Sequence, residues 1–283
     1  MTQTVKLSNG VQMPVIGYGT WRTPNENVPD LVYAAIKAGY RHIDTAAKYA
    51  NESGVGEGIS RAIADGIVAR EELFVTTKVW NSDRGYGRTK AAFERSMNEL
   101  KLDQLDLYLI HWPATAHQYD CWKELNSETW CAMEDLYQEG RVRAIGVCNC
   151  KNHHLKPIME GANIKPMVNQ IEIHPGLAQV QSVRYGQENG IVMQAWSPLG
   201  TGRMVKNEQL IAMAARYGKT SAQLCLRWLL QRGIVPLPKS WNPERMAQNL
   251  DVFGFDLTDE DMAEIEAMAY FGGSGEDPDK IMF

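Results

Sequence analysis

The sequence predicts a (β/α)8 barrel, an α/β fold in which eight parallel strands alternate with helices around one axis. Three observations support this fold. Short apolar runs alternate with longer stretches of helical pattern, the alternation repeats eight times, and most of the helical stretches end at a glycine. A doubly wound parallel sheet is the alternative fold.

The chain opens with a predicted β-hairpin. Two short runs in VKLSNGVQMP flank Asn9-Gly10, and both of these residues tolerate the positive φ that a two-residue hairpin turn requires. We expect this hairpin to act as a plug or a lid.

The eight barrel strands are predicted from short apolar runs between turn residues. They lie at 15–17, 40–43, 73–77, 105–110, 143–147, 167–171, 191–196 and 234–237.

The helices are predicted between these strands, several of them with a polar residue at the start. They lie at 28–38, 52–65, 88–101, 121–138, 151–160, 178–189, 206–231 and 243–250. Gly218 and Thr220 divide 206–231 into two expected helices, and a last helix runs from Thr258 to about Met268. The glycine- and aspartate-rich tail, 271–283, is expected to be a loop over one end of the barrel.

Composition narrows the class of protein. Hydrophobic residues make up 44% and charged residues 22% of the 283 residues, which excludes wholesale disorder, a collagen repeat and a disulfide scaffold. The net charge of −5 argues against non-specific nucleic-acid binding. There is no linker, secretory signal or apolar run of about 20 residues, and the five cysteines form no disulfide framework. We therefore expect one cytoplasmic domain, 1–283, with neither membrane nor nucleic acid as partner, and no heptad pattern argues against a monomer.

Ionisable side chains follow three successive strands. Asp44 and Tyr49 follow the second strand, Lys78 the third and His111 the fourth. Each alone is more often a hydrogen-bonded or solvated rim residue, but the carboxyl ends of barrel strands meet at the active-site face. A lysine cation favours the phenolate of a nearby tyrosine, a carboxylate holds that lysine, and a neutral histidine can orient a carbonyl oxygen. Together they predict a proton donor for carbonyl reduction.

Seven segments resemble motifs of the aldo-keto reductase family, in order and through nearly the whole chain. They are GYRHIDTAAKYANE at 39–52, TKVW at 77–80, LIHWP at 109–113, GVCN at 146–149, NQIEIHP at 169–175, WSPLG at 196–200 and PKSWNPERMAQN at 238–249. Trp196, where many members have tyrosine, resembles the bacterial 2,5-diketo-D-gluconate reductase branch.

The resemblance implies a barrel that binds NADPH without a Rossmann fold. It implies hydride transfer to small aldehydes and ketones, such as keto-sugars or methylglyoxal, with Tyr49 as the general acid and Asp44, Lys78 and His111 completing the catalytic tetrad. By their positions after the first, third and fourth strands, Trp21, Trp80 and Trp112 are expected to line the substrate pocket, with His111.

The cofactor contacts implied by the resemblance span both ends of NADPH. Asn149 and Gln170 match the residues that hold the carboxamide, and Trp196 the aromatic that stacks on the nicotinamide. The full implied set is Thr20, Cys148, Asn149, Gln170, Trp196, Ser197, Leu199, Gly200, Lys239, Ser240, Arg245, Gln248 and Asn249. In this set Lys239, Ser240 and Arg245 form the 2′-phosphate clamp. Cys148 stands where many members have serine, and a thiol is a weaker donor.

Other interpretations of the motifs are weaker. CNCKNHH at 148–154 lacks the ligand spacing of a zinc site, so we expect no metal. Tyr33 and Lys37 have the Tyr-x-x-x-Lys spacing of short-chain dehydrogenases, but no glycine-rich first turn opens the chain, and we interpret them as a helix face. A cofactor-binding sensor on the same fold and a sugar-phosphate isomerase are the alternative functions. The intact tetrad disfavours the first, and Trp196 the second.

Overall fold

An antiparallel hairpin precedes the barrel in this computed structural model, which describes residues 3–283. Its strands are β1 (Thr4–Lys6) and β2 (Gln12–Pro14). The expected two-residue turn is wrong in detail, because the turn has three residues: the Leu7 amide donates to the Val11 carbonyl oxygen. Of the three residues between them, only Gly10 has a positive φ, 93°. The Asn9 amide donates to the Arg143 carbonyl oxygen at 2.9 Å, which fixes the hairpin against the end of the barrel where the strands begin.

Eight parallel strands form the main sheet, in the same order in space as in the chain. They are β3 (Tyr18–Gly19), β4 (His42–Asp44), β5 (Phe74–Val79), β6 (Leu105–Ile110), β7 (Val142–Cys148), β8 (Val168–Glu172), β9 (Val192–Trp196) and β10 (Ile234–Pro236). Main-chain hydrogen bonds from Gly17 to Pro236 (3.0 Å) and from Gly19 to Pro238 (3.1 Å) join the first strand segment to the last. The (β/α)8 prediction is confirmed. The doubly wound alternative is wrong, because a doubly wound sheet reverses its strand order.

The first barrel strand lies later than predicted. The expected strand 15–17 is wrong in position, because the Val15 amide donates to the Gln3 carbonyl of the hairpin and pairing with β4 begins at Tyr18. Gly17 lies where the barrel closes, and a Cβ there would lie 2.6 Å from Cδ2 of Leu237. The glycine allows this close approach.

Ten helices surround the sheet within the described residues. They are α1 (Val28–Ala38), α2 (Glu52–Ala64), α3 (Tyr86–Leu100), α4 (Trp122–Gln138), α5 (Asn152–Gly161), α6 (Val180–Glu188), α7 (Glu208–Arg216), α8 (Ser221–Gln231), α9 (Pro243–Leu250) and α10 (Asp259–Glu266). The expected division of 206–231 is confirmed: Asn207 caps α7 and Thr220 caps α8, each accepting a backbone N–H three residues on.

The tail crosses the end of the barrel where the strands finish, as predicted. It is tied there by Ser274, whose hydroxyl donates to Glu172 at the end of β8, and by Ile281, whose carbonyl accepts the Ala116 amide at 2.8 Å. No helix in the described part of the chain is long and apolar enough to cross a membrane.

Candidate active site

Four ionisable side chains meet at the carboxyl ends of β4, β5 and β6. Asp44 is the last residue of β4, Lys78 lies in β5, and His111 directly follows β6. Tyr49 lies on a single 3-10 turn, Ala47–Tyr49, which ends because Ala50 adopts a left-handed conformation with φ 53°. The parallel register therefore brings together residues that are up to 67 positions apart in the chain.

The Lys78 ammonium links two members of this group. Its Nζ donates to Asp44 Oδ1 at 2.7 Å, to the Thr45 carbonyl oxygen at 2.8 Å and to the Tyr49 hydroxyl at 3.4 Å. Lys78 is completely buried and Asp44 nearly so. Burial lowers the pKa of Lys78, but the charge of Asp44 and its hydrogen bond outweigh burial and raise that pKa above its ordinary value. Lys78 is therefore a cation at neutral pH.

Tyr49 keeps its proton over the whole physiological pH range. Burial raises the pKa of the Tyr49 phenol, and the Lys78 cation lowers it only in part. Lys78 lowers the pKa of Tyr49, as expected from the sequence. The net shift of that pKa is nevertheless upward, because packing around the ring removes water from the phenolate.

His111 faces Tyr49 as a neutral imidazole. Its ring centroid lies 5.6 Å from that of Tyr49, at an interplanar angle of 76°. Burial lowers the pKa of His111 well below its ordinary value, and the cations of Lys78 and Lys48 lower it further. Its Nδ1 is buried and has no hydrogen-bond partner among residues 3–283, which leaves Nε2 as the nitrogen able to donate into the cavity.

Two amides and an indole lie beside the tetrad. Gln170 Nε2 donates to Asp44 Oδ2 at 2.8 Å, and Asn149 Nδ2 donates to the His111 carbonyl oxygen at 3.0 Å. Trp196 Nε1 donates to Asn149 Oδ1 at 2.8 Å. Asn149, with φ 58°, and Ser197, with φ 51°, are non-glycine residues in the left-handed region at the ends of β7 and β9. Such backbone is costly and is typical of ligand sites.

A cavity of about 1290 Å³ extends from Tyr49 and His111, past Trp196, to a cationic end at Lys239 and Arg245. Lys239 is solvent-exposed, donates to the Trp21 carbonyl oxygen at 3.0 Å, and has its pKa lowered by partial desolvation of its ammonium and by the neighbouring Arg22 cation. A bound anion would relieve this repulsion. The cavity therefore has an aromatic side chain and amides at one end and cations at the other. This arrangement fits a phosphorylated dinucleotide.

The cavity wall contains most of the residues expected to bind cofactor and substrate. The members present are Trp21, Trp80, Trp112, Cys148, Asn149, Gln170, Trp196, Ser197, Leu199, Lys239, Ser240, Arg245, Gln248 and Asn249. Thr20 and Gly200 are not part of it. The Thr20 side chain is completely buried and donates to the Asp44 carbonyl oxygen at 3.0 Å, so it supports the end of β4.

Sequence reasoning missed further residues that line the same cavity, among them Arg22, Lys48, Glu276 and Phe283. The Lys48 ammonium lies 4.9 Å above the ring of Trp80, and Phe283 stacks on the same ring at 5.6 Å. Arg22 and Lys48 stand next to predicted site residues, which is the one signal that the sequence carries for them. The tail has no periodic pattern that indicates where Phe283 lies.

Apart from Cys148 and Asn149, the residues of the two alternative motifs lie outside the cavity. Tyr33 and Lys37 lie on α1, where the Tyr33 hydroxyl donates to Asp65 at the surface. Cys148 and Cys150 are buried, whereas His153 and His154 turn to Asp279 of the tail. The CNCKNHH segment therefore does not gather its own thiols and imidazoles into one site.

Comparison with known proteins places this architecture in one family. The model of the aldo/keto reductase family matches residues 15–269. The chain is 49% identical to glyoxal reductase of Bacillus subtilis over 284 residues, which covers 100% of this chain and 99% of that protein. It is 41% identical to methylglyoxal reductase DkgA of Escherichia coli K12, with 98% and 97% of the two chains covered.

Solved structures show the same fold. The apo form of Gox0644 has a TM-score of 0.91 and 40% identity, and the match covers 100% of both chains. An aldo-keto reductase of Bombyx mori in complex with NADP has a TM-score of 0.87 and 39% identity, with 94% of this chain and 92% of that chain covered.

Proposed function

Because this chain belongs to the aldo/keto reductase family, we propose that its Asp44, Tyr49, Lys78 and His111 carry out the reduction of small carbonyl compounds. The chain is an NADPH-dependent oxidoreductase that converts aldehydes and ketones to alcohols. The assignment of the four residues depends chiefly on one observation: a buried Lys78 ammonium lies between the Asp44 carboxylate, at 2.7 Å, and the Tyr49 hydroxyl, at 3.4 Å.

Tyr49 is the proton donor in this proposal. When bound, NADPH supplies the hydride that the carbonyl carbon accepts. The protonated Tyr49 hydroxyl gives its proton to the developing alkoxide, and the Lys78 cation stabilises the phenolate that remains. Asp44 keeps Lys78 charged and close to the phenol. A buried cation stabilises a developing negative charge more strongly than it would in water.

His111 orients the substrate. As a neutral imidazole it can donate from Nε2 to the carbonyl oxygen, while the Tyr49 hydroxyl approaches the same oxygen. Two donors aimed at one oxygen form an oxyanion site, often the largest single contribution to lowering the barrier.

The remaining cavity residues are proposed to hold NADPH. Asn149 and Gln170 would bind the carboxamide, Trp196 the nicotinamide ring, and Ser197 and Leu199 the pyrophosphate. Lys239, Ser240 and Arg245 would hold the 2′-phosphate, and Gln248 and Asn249 the adenine. The unrelieved positive charge at Lys239 and Arg22 supports the phosphate assignment.

The proposed substrates are glyoxal, methylglyoxal and carbonyls of similar size. The matches to the relatives named for these two compounds cover at least 97% of each relative's length. The aromatic wall formed by Trp21, Trp80 and Trp112 suits a small carbonyl compound held next to one polar end.

We also propose one domain, 1–283, that works as a monomer in the cytoplasm. All five cysteines are free thiols, which is typical of a reducing compartment. Size-exclusion chromatography with light scattering tests the monomer, and a dimer mass would contradict it.

The central experiment compares the unsubstituted protein with Tyr49→Phe, which removes the hydroxyl and keeps the ring. NADPH oxidation is followed with glyoxal, methylglyoxal, a nitrobenzaldehyde, a diketo-sugar acid and an aliphatic ketone. We expect kcat to fall by about 10²–10⁴-fold, while the Kd for NADPH, measured by calorimetry, stays unchanged. Comparable turnover in Tyr49→Phe would remove Tyr49 from the chemistry. Tight NADPH binding without turnover of any carbonyl would favour a sensor.

A further inference from the structure

The tail crosses the barrel mouth as a strap, which we define as residues 273–283. It passes the carboxyl ends of β8, β7, β6 and β5 in turn and is attached at each. The attachments are Ser274 to Glu172, Asp277 and Asp279 to the start of α5, the Ile281 carbonyl to the Ala116 amide, and the Phe283 carbonyl to Asn81.

The attachment at α5 is the most highly connected one. Asp279 Oδ1 accepts from Nε2 of His153 at 3.0 Å and of His154 at 2.8 Å, and Oδ2 accepts from Lys151 Nζ at 3.0 Å. Lys151 Nζ also donates to Asp277 Oδ1 at 2.5 Å. These five residues form a clamp, and we use that name for them below.

Two imidazoles and a carboxylate of the clamp lie within 4.8 Å of one another, a spacing that could also hold a metal ion. The hydrogen bonds of the clamp favour a purely hydrogen-bonded cluster. The Lys151 amide donates to Nδ1 of His154 at 3.2 Å. This fixes the proton of the neutral ring on Nε2, where it is donated to Asp279 and where a metal would need a bare lone pair. Burial lowers the pKa of His154 to about 4. The donors His153 and Lys151 outweigh burial and lower the pKa of Asp279 to about 2.

The end of the strap is part of the substrate pocket. Phe283 stacks on Trp80, with ring centroids 5.6 Å apart and an interplanar angle of 18°, and meets Trp112 edge-on at 5.7 Å. Trp80 in turn contacts His111 edge-on at 5.1 Å. Three residues separate Asp279 from Phe283, so the clamp limits how far this aromatic side chain can move from the pocket.

We propose that Asp279 is a positioning residue for substrate size: the clamp holds Phe283 against Trp80 and restricts the pocket to small carbonyls. The proposal rests on the proposed carbonyl reductase function, since Phe283 narrows the pocket beside His111. Asp279 acts through Phe283 and contacts no reacting atom.

The test measures kcat and KM of Asp279→Ala for methylglyoxal and for a bulky aromatic aldehyde. We expect the ratio of kcat/KM, bulky over small, to rise by about tenfold, through KM, with kcat and the Kd for NADPH little changed. Asp30→Ala is the matched control, because Asp30 forms an exposed ion pair with Arg61 between α1 and α2. An unchanged ratio in Asp279→Ala overturns the proposal.

A double substitution tests whether Asp279 acts through Phe283. Phe283→Ala should raise the same ratio. Adding Asp279→Ala to it should raise the ratio no further, because both substitutions open the same side of the pocket. Multiplicative effects of the two substitutions would show that Asp279 acts by another route and would overturn the proposal.

Hydrogen exchange separates this proposal from the proposed function. The Ala116 amide, bonded to Ile281 in the strap, should exchange faster in Asp279→Ala than in the unsubstituted protein, whatever the activity. An unchanged exchange rate of the Ala116 amide would show that the clamp does not hold the strap, and would overturn the proposal. Absence of carbonyl turnover in the unsubstituted protein refutes the proposed function, whereas normal turnover with an unchanged ratio refutes only the role of Asp279.

Discussion

Asp44→Asn is expected to destabilise the protein strongly, because it leaves the buried Lys78 ammonium without a counter-ion. In the folded protein Lys78 is fully buried, and its ion pair with Asp44 is 2.7 Å long. Asparagine has the same shape but one acceptor oxygen, which cannot serve both Lys78 and Gln170. Removing one partner of such a pair costs about 3–5 kcal/mol of the free energy of unfolding.

The sign of the pH dependence distinguishes this cause from simple misfit. In the unsubstituted protein Asp44 raises the pKa of Lys78, so its stabilising contribution is complete below the unfolded pKa of about 10.4 and is lost only as pH rises through the folded pKa. In Asp44→Asn, burial remains and the largest raising charge is gone, so the folded pKa falls below the unfolded one. The unfolded state then binds more protons, and the free energy of unfolding rises with pH.

Urea unfolding measures both quantities. The free energy of unfolding of Asp44→Asn should be lower than that of the unsubstituted protein at pH 7, and the difference should shrink as the pH approaches about 10. Asp30→Asn, at an exposed ion pair, is the control and should change little. An equal loss at both pH values, or a loss no larger than in the control, would refute the uncompensated Lys78 charge as the cause.

Three further predictions concern the cofactor, the acid limit of stability and barrel closure. In binding titrations, Lys239→Ala with Arg245→Ala should weaken the binding of NADPH by about 10²-fold or more and the binding of NADH far less. Equal losses of affinity for both cofactors would remove the 2′-phosphate assignment. Burial lowers the pKa of His42 to about 3, so its neutral form stabilises the protein above the unfolded value of about 6.5, and this contribution is lost as pH falls towards 3. Between pH 7 and pH 5 the free energy of unfolding of His42→Gln should therefore fall by about 2 kcal/mol less than that of the unsubstituted protein. An equal fall in both proteins would contradict this. Gly17→Ala should lower the free energy of unfolding by about 1–3 kcal/mol, because the new Cβ meets Leu237; a Tm equal to that of the unsubstituted protein would show that Leu237 moves aside.

The tetrad could be predicted from sequence because barrel geometry converts strand ends into neighbours. Asp44, Lys78 and His111 each stand at or near the end of an apolar run, and parallel strands bring such ends to one rim. Tyr49 follows by five residues, within reach of the same rim. The net pKa of Tyr49 could not be predicted in the same way, since it depends on how much water the packed side chains exclude from the ring.

Other residues needed the folded chain. Thr20 was expected to contact the cofactor, yet its side chain turns to the Asp44 carbonyl oxygen instead of the cavity. His153 and His154 were visible as a dipeptide, but their partner Asp279 lies 125 or more positions away. No local pattern links these segments, because the contact forms only when the strap crosses the strand ends.

The sequence by itself determined the barrel, the strand-end positions of the tetrad and the family of the enzyme. These follow from local patterns and ordered motifs, because hydrophobic periodicity and turn residues act over short stretches of chain. Only the tertiary structure decided the protonation of Tyr49 and His111, the closing contact at Gly17 and the place of Phe283 on the pocket wall. Burial and contacts between distant segments depend on the whole packed chain, which no local stretch of sequence specifies.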